Sequence, residues 1–490
     1  MITLTAFVVL PLLGALVHAV LGWRRATAWT GAVTSGLMLA AAAATAADVV
    51  GHGPREVLGG LLRADALSAF MLLVISVVAL LATAATPAHL RREIAAGRAS
   101  ARTAARHSVL VHLFLVTMGI AVLAANLGVL WVAIEATTIV TAFLVGQRRT
   151  RHAVEAAWKY VVICSAGIAL ALLGTLLLNY AAAHAGGGID LASLSAHAHG
   201  LDPGVTRIAV ALLILGFGTK AGLAPLHAWL PDAHSQAPAP VSALMSGVLL
   251  SVAFYAILRV KVIADGALGP AFARTLLTVM ALASLALAAS LLLAQRDYKR
   301  MLAYSSIEHL GLIALGAAIG GPLASAAVLL HILGHGLAKV VLFLSAGRVL
   351  QGVGTSRIDG VRGLAVRAPV LAGCVGFGVL ALIGLPPFSL FASELGIVRA
   401  GFAAGGMGWV TAAALVLVLV IAAALIGHTG GMVLGTPPEG PGTATAPIGL
   451  SRVSATALVG GLLLCAGLGV TTGPLTTLLH TAAGLLTRTP

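Results

Sequence analysis

Six side chains in this sequence have the chemistry to pass a proton, and each stands where a charge is costly. Glu135 lies in WVAIEATTIVTAFLVG, about eight residues from either end of an apolar run. Lys220 lies in LLILGFGTKAGLAPLHAWLPDAHSQ, 13 residues beyond Arg207. His331, His335 and Lys339 follow one another at i, i+4 and i+8 in HILGHGLAKVVLF. On a helix that spacing puts all three on one face, each step rising about 6 Å. Glu394 follows a Pro-Pro break in LPPFSLFASEL. A charge at mid-bilayer costs several kcal/mol, about 3 on insertion scales.

The two signs need each other. A lone buried carboxylate takes up a proton, and a lone buried lysine gives one up. A facing pair keeps both charged, and separating it pushes the lysine to release its proton. A switchable carboxylate–lysine pair therefore loads and unloads protons. Imidazoles between such pairs supply the relay, because they titrate near neutral pH. Glu308 and His309, near the start of another run, and His227 and His234, which read with Asp232 as a cytoplasmic loop after Lys220, are candidate supports. Pro225 lies five residues after Lys220 and leaves the Ala221 carbonyl without its helical partner, and Pro386 and Pro387 interrupt the run before Glu394. Interrupted helices at matching places in two halves mark the binding region of inverted-repeat transporters. The alternative is a set of static polar contacts holding helices together, but buried ion pairs are weak stabilisers.

The elements that hold these residues follow from composition. Of 490 residues 59% are hydrophobic and 9% charged, against about 25% charged in a soluble domain. That excludes an ordinary cytosolic enzyme, a disordered chain and a disulfide scaffold. A span needs roughly 20 apolar residues, and 14 runs qualify, at about 2–22, 27–47, 66–86, 108–125, 128–146, 158–179, 207–226, 239–262, 271–294, 306–320, 323–347, 369–400 (interrupted), 405–427 and 453–480. They must be helical, since backbone groups in hydrocarbon pair within the segment. The reading is an all-α polytopic membrane protein with no separate soluble domain. If the first helix enters from outside, 19 of the 29 Lys and Arg fall on the cytoplasmic side and eight opposite, with Lys220 and Lys339 inside runs. Positive loops stay in the cytoplasm, so both termini are expected on the outer side of the cell's inner (plasma) membrane.

The net charge of +14 therefore reports topology rather than a nucleic-acid partner. The segment 183–205, with His184, His197 and His199, reads as an outer loop. The stretch 428–451, with Pro437, Pro438, Pro441 and Pro447, reads as a flexible cytoplasmic connection. Cys164, Cys374 and Cys465 lie far apart in apolar runs, with no metal or cluster spacing, so no metal site and no cofactor are expected in this chain. Residues 1–22 read as a retained first helix rather than a signal peptide.

The stretch TKAGLAPLHAWLPDAHSQAPAPVSALMSG resembles the signature of the antiporter-like membrane subunits of respiratory complex I and of Mrp-type cation/proton antiporters. The likeness runs along about 110–400. LAYSSIEHLG and GLPPFSLFASELGIV look most like the F subunit of hydrogenase-4-type formate hydrogenlyases. The resemblance implies 14 helices with two inverted five-helix repeats, helices 4–8 and 9–13, broken at helices 7 and 12. That divides the chain into 1–107, 108–265, 266–427 and 428–490. It implies that Glu135 and Lys220 form the switching pair of one half-channel, and that His331, His335 and Lys339 connect to Glu394 in the other. Quinone-linked relatives often carry a connecting Lys in helix 8; here Ser251 stands there, and a hydroxyl orients water without holding a charge. The long lateral arm of the largest complex I antiporter subunit is also not expected, since the fourteenth run ends close to residue 490.

The functional expectation is a proton-translocating subunit of a membrane-bound [NiFe] hydrogenase-4 or formate hydrogenlyase-type complex. Its partners would be other membrane and soluble redox subunits, with the lipid bilayer around it. The chain itself would carry no redox centre. Alternatives are a proton-pumping subunit of a complex I-like assembly, an Mrp-type sodium/proton antiporter component, or an inactive membrane scaffold.

Overall fold

The computed structural model describes residues 2–436 and 448–487, so Pro437, Pro438, Pro441, Pro447 and Arg488 lie outside the described residues. Helices dominate, as the absence of water in hydrocarbon demands. The first six crossings are α1 (Ile2–Leu21), α2 (Thr30–His52), α3 (Ala66–Ala95), α4 (Ala101–Leu123), α5 (Leu127–Val145) and α6 (Arg151–His184). A short α7 (Leu191–Ala196) occupies the expected outer loop. The seventh crossing is α8 (Pro203–Ala221) followed, after a break, by α9 (Trp229–Gln236). The eighth is α10 (Ala239–Leu244) continued through a π-helical turn into α11 (Leu250–Leu268). Then come α12 (Pro270–Leu293), α13 (Tyr298–Ile319) and α14 (Gly321–Val353). After the one-turn α15 (Leu364–Arg367), the twelfth crossing is broken into α16 (Pro369–Leu382) and α17 (Ser389–Ala403). Last are α18 (Gly408–Leu434), α19 (Arg452–Val470) and α20 (Thr476–Thr487). Among the described residues thirteen helices are long and apolar enough to cross, and α16 with α17 supplies the interrupted one.

Several expectations shift. Helices extend beyond their apolar runs because charged end turns face water while the backbone stays helical. The divisions at 107/108, 265/266 and 427/428 therefore fall inside α4, α11 and α18. The tenth crossing starts at Tyr298 rather than 306, which moves Glu308 and His309 from a helix end to its middle. The last run is two helices, α19 and α20, parted at Thr471–Gly473. A two-stranded hairpin, β1 (Arg55–Val57) with β2 (Leu62–Ala64), joins α2 to α3; three-residue strands leave no readable alternation. The stretch HAWLPDAH is not a surface loop, since most of it is α9, packed against α6 and α13.

The two breaks are built alike. Gly222-Leu223-Ala224-Pro225 and Gly384-Leu385-Pro386-Pro387 follow their helices in the same order, each with a cis prolyl peptide at its last bond. Gly222 has φ 81° and Gly384 φ 65°, in the left-handed region that only glycine enters freely. Leu223 N–H donates to Gly218 O (2.9 Å) and Leu385 N–H to Leu380 O (3.1 Å). Gly222 N–H reaches Thr219 O (3.1 Å) and Gly384 N–H reaches Ala381 O (3.2 Å). That pair of bonds is the Schellman stop, which satisfies the last carbonyls of a helix. The two interrupted helices thus end in the same stop.

Burial grades from rim to centre. The most apolar windows of α10–α11 and α13 are 100% buried and that of α14 94%, against 33% for α1 and α18. α14 packs on α3, α10, α13, α16, α17, α19 and α20. The helices carrying the histidines and Lys339 are thus interior, whereas α5, which carries Glu135, lies nearer the rim at 44% buried.

Candidate functional site

Lys220, at the last turn of α8, is fully buried. Its Nζ donates to Thr138 Oγ1 (2.8 Å) and to Tyr160 OH, and lies 4.7 Å from the centre of the Tyr160 ring. Thr141 Oγ1 donates its single proton to Thr137 O, so the Tyr160–Thr141 contact (2.7 Å) has Tyr160 as donor. The proton order runs Lys220, Tyr160, Thr141. Glu135 stands one turn before Thr138 on α5 and accepts from Ser165 Oγ (3.2 Å). No ion pair joins Glu135 to Lys220 among the described residues. The expected pair is adjacent but separated, with neutral oxygens and an aromatic face holding the ammonium.

The short α9 is fixed from three directions. Trp229 Nε1–H donates to Thr219 O across the break (2.9 Å). Asp232 pairs with Lys159 (3.1 Å) and Arg300 (3.0 Å) on α6 and α13. Lys299 donates to Ser235 O (2.7 Å) and Ala237 O (2.9 Å), where a helix C-terminus favours a cation. Lys299, one of the 19 basic residues read as cytoplasmic, is fully buried in the first turn of α13. These ties bring His234 inside, stacked on Phe343 of α14 at 5.0 Å. His227 stays in the break, half-buried, with Nδ1 3.1 Å from Pro225 O.

Among the described residues, both nitrogens of His234, Ser251 Oγ, both nitrogens of His335 and Glu308 Oε2 are buried with no protein partner. Native proteins pair nearly all such atoms, so ordered water is their expected partner. Ser246 Oγ lies 2.8 Å from Ser306 Oγ.

In the second half Lys339 Nζ donates to Leu302 O (2.9 Å) and Ser305 Oγ. His309 Nδ1 lies 3.0 Å from His331 Nε2, and His331 Nδ1 lies 2.9 Å from Ser393 Oγ. Ser393 donates its own proton to Leu390 O (2.9 Å), so it accepts from His331. The proton of His331 is then on Nδ1, and its Nε2 accepts from His309 Nδ1–H. That leaves His309 Nε2 as a buried, unpartnered base, 5.1 Å ring to ring from His335. A proton arriving at Nε2 of His309 can leave from its Nδ1 to His331, whose own Nδ1–H meets Ser393 Oγ, and Glu394 is the next residue on α17. His309 thus bonds directly to one of the expected relay histidines. Glu394 lies against the break: a Cβ on Gly384 would stand 2.1 Å from its Oε2. His309, His331 and Glu394 each offer a ligand atom, all within 4.8 Å, so this cluster could hold a divalent metal if the histidine–histidine bond opened. No ligand spacing in the sequence announces it.

The family described as NADH:quinone oxidoreductase/Mrp antiporter, transmembrane, matches residues 124–422. The chain belongs to this antiporter family. Both lysines, both breaks and the histidine cluster fall inside the matched segment. Among relatives, it is 42% identical over 320 residues to the hydrogenase-4 component F homolog of Methylacidiphilum infernorum, covering 64% of this chain and 67% of that one. It is 33% identical over 383 residues to hydrogenase-4 component B of Escherichia coli, covering 76% of this chain and about half (55%) of that one. Among solved structures, this antiporter-family chain matches one in the archaeal membrane-bound sulfane sulfur reductase, with TM-score 0.88, 26% identity, and coverage of 99% and 98%. A chain of the Mrp complex from Dietzia sp. DQ12-45-1b gives TM-score 0.85 at 25% identity, with coverage of 99% and 97%.

Tyr160, Thr138, Ser165, Ser305, Ser393 and Lys299 were not singled out from the sequence. Hydroxyls in apolar runs are common, and Lys299 sits beside true surface charges.

Proposed function

We propose that the chain moves protons through the membrane along Glu135, Lys220, water beside Ser251 and His234, then Lys339, His335, His309, His331 and Glu394. The observation that carries this is the directed bond series His309 to His331 to Ser393, set between an unpartnered base and a carboxylate. We assign it as a subunit of a hydrogenase-4-type redox complex, on its 42% identity to a component F homolog. Electron transfer in partner subunits would then drive separation and re-pairing of Glu135 and Lys220. Both termini would lie on the outer side of the plasma membrane, following the asymmetry of basic residues. The likeness to an Mrp-complex chain favours a second reading, a sodium/proton antiporter component.

The test is Lys220→Ala in the assembled complex reconstituted in vesicles. Loss of proton pumping with retained subunit composition supports the reading, and unchanged pumping in an assembled complex overturns it. Sodium-dependent pumping would favour the second reading.

A further inference from the structure

Along α4, α5 and α6 lies a groove of about 860 Å³. One rim is basic, with Arg102 and Arg106 from α4, and Arg148 and Arg149 from the turn after α5. Arg98, also on the rim, is committed to Glu93 at 3.0 Å. The other four make no ion pair among the described residues; Arg106 rests over the Phe143 ring at 5.6 Å. The N-termini of α4 and α6, capped by Ser100 and Thr150, open at the same rim and add to its positive potential. Arg149 is held at φ 53°, one of two non-glycine residues with positive φ among the described residues.

Below the rim the wall is apolar. Ile139, Phe143 and Trp158 are each more than half exposed in the chain alone. At the floor lie Ser165 and Glu135, the one carboxylate lining the groove among the described residues. Eight residues of α5 separate Phe143 from Glu135, about 12 Å of rise. Half of a bilayer's hydrocarbon core is about 15 Å. The groove is therefore one leaflet deep, with cations at headgroup level and apolar side chains at acyl level.

We infer that this groove binds an anionic phospholipid, its phosphate on Arg102, Arg106, Arg148 and Arg149 and an acyl chain along Ile139, Phe143 and Trp158. A zwitterionic lipid would leave the guanidinium charge unneutralised, and free phosphate would leave the apolar wall uncovered. A packed protein helix would need carboxylates to meet four arginines. Resting on the proton-carrying reading, the acyl end would seal Glu135 and Ser165 from the lipid side, so that protons reach Glu135 only from within.

The binding test reads no transport, so its failure is separable from that of the proposed function. The purified, delipidated full chain is titrated with phosphatidylglycerol or phosphatidylcholine of matched chains and examined by native mass spectrometry. We expect a preference of about tenfold for phosphatidylglycerol, lost in Arg102→Gln/Arg106→Gln/Arg148→Gln/Arg149→Gln. Ile139→Trp, which fills the wall and keeps the arginines, should also lose the lipid. Equal retention of both lipids, an unaltered preference in either variant, or displacement by inorganic phosphate at equal concentration would overturn the assignment. So would a photocrosslinker at position 158 that captures a protein subunit instead of lipid in the intact complex.

Discussion

The tautomer of His331 is decided by a hydroxyl on the neighbouring helix α17. Ser393 spends its only proton on Leu390 O and so must accept from His331. In Ser393→Ala that acceptor is gone and both tautomers of His331 become available. Proton transport should fall by about a hundredfold, the lower end for a positioned proton-transfer group, and nitrogen NMR of labelled histidine should show His331 changing from one tautomer to a mixture. A single unchanged tautomer with unchanged transport would refute the role. Charged members of the site were legible in the sequence, because a Glu, Lys or His inside an apolar run is rare enough to be noticed. Tyr160, Thr138 and Ser393 were not, since nothing linear separates a hydroxyl bonded to its own helix from one bonded to a lysine. The separated state of Glu135 and Lys220 is equally a matter of three dimensions: the residues are present, the bond is not.

Elements were legible to the extent that they are long. Runs of roughly 20 apolar residues announce a crossing, while the eight residues of α9, with Asp232 and His234 among them, read as a loop. What makes them a half-crossing is Trp229, Asp232 and Lys299, each bonded to a distant segment. In Lys299→Met the last carbonyls of α9 lose a charged donor, and we expect about 2 kcal/mol less stability, read from thermal unfolding of the full chain in detergent. The breaks make a sharper comparison. Gly222→Ala and Gly384→Ala each force an alanine to positive φ, costing about 1–2 kcal/mol. At Gly222 the new Cβ meets the tip of Leu230 at 2.4 Å; at Gly384 it meets the carboxylate of Glu394 at 2.1 Å. Both variants should melt lower, and Gly384→Ala should in addition lose transport by displacing the carboxylate. Equal transport loss in the two would mean that the breaks act only as hinges.

For the molecule as a whole, Asp65 and Arg259 join the start of α3 to α11, with Arg259 guanidinium nitrogens on both Asp65 oxygens at 2.6 Å. Burial alone would raise the Asp65 carboxyl, but the charge and hydrogen bonds of Arg259 and Ser68 outweigh it and hold it below the ordinary range. A depressed folded value means the stabilisation is complete above the unfolded value, near 3.9, and is lost as pH falls through the lower folded one. Stability should thus be insensitive to this pair from neutral pH down to about 4. Asp65→Asn strands a buried guanidinium and should cost about 3–5 kcal/mol, with the acid limb of the melting profile flattened. If that limb is unchanged, other carboxylates set it. The histidine series has its own consequence at this scale. After one proton passes, His309 and His331 are left with their protons on the opposite nitrogens, and neither can serve a second proton from the same side until both rings turn over. On the proposed path the series would therefore work as a turnstile rather than a wire. A wire would short-circuit the membrane, dissipating about 2.3 kcal/mol per charge per 100 mV, whereas a turnstile that must reset passes one charge per stroke and holds the voltage between strokes.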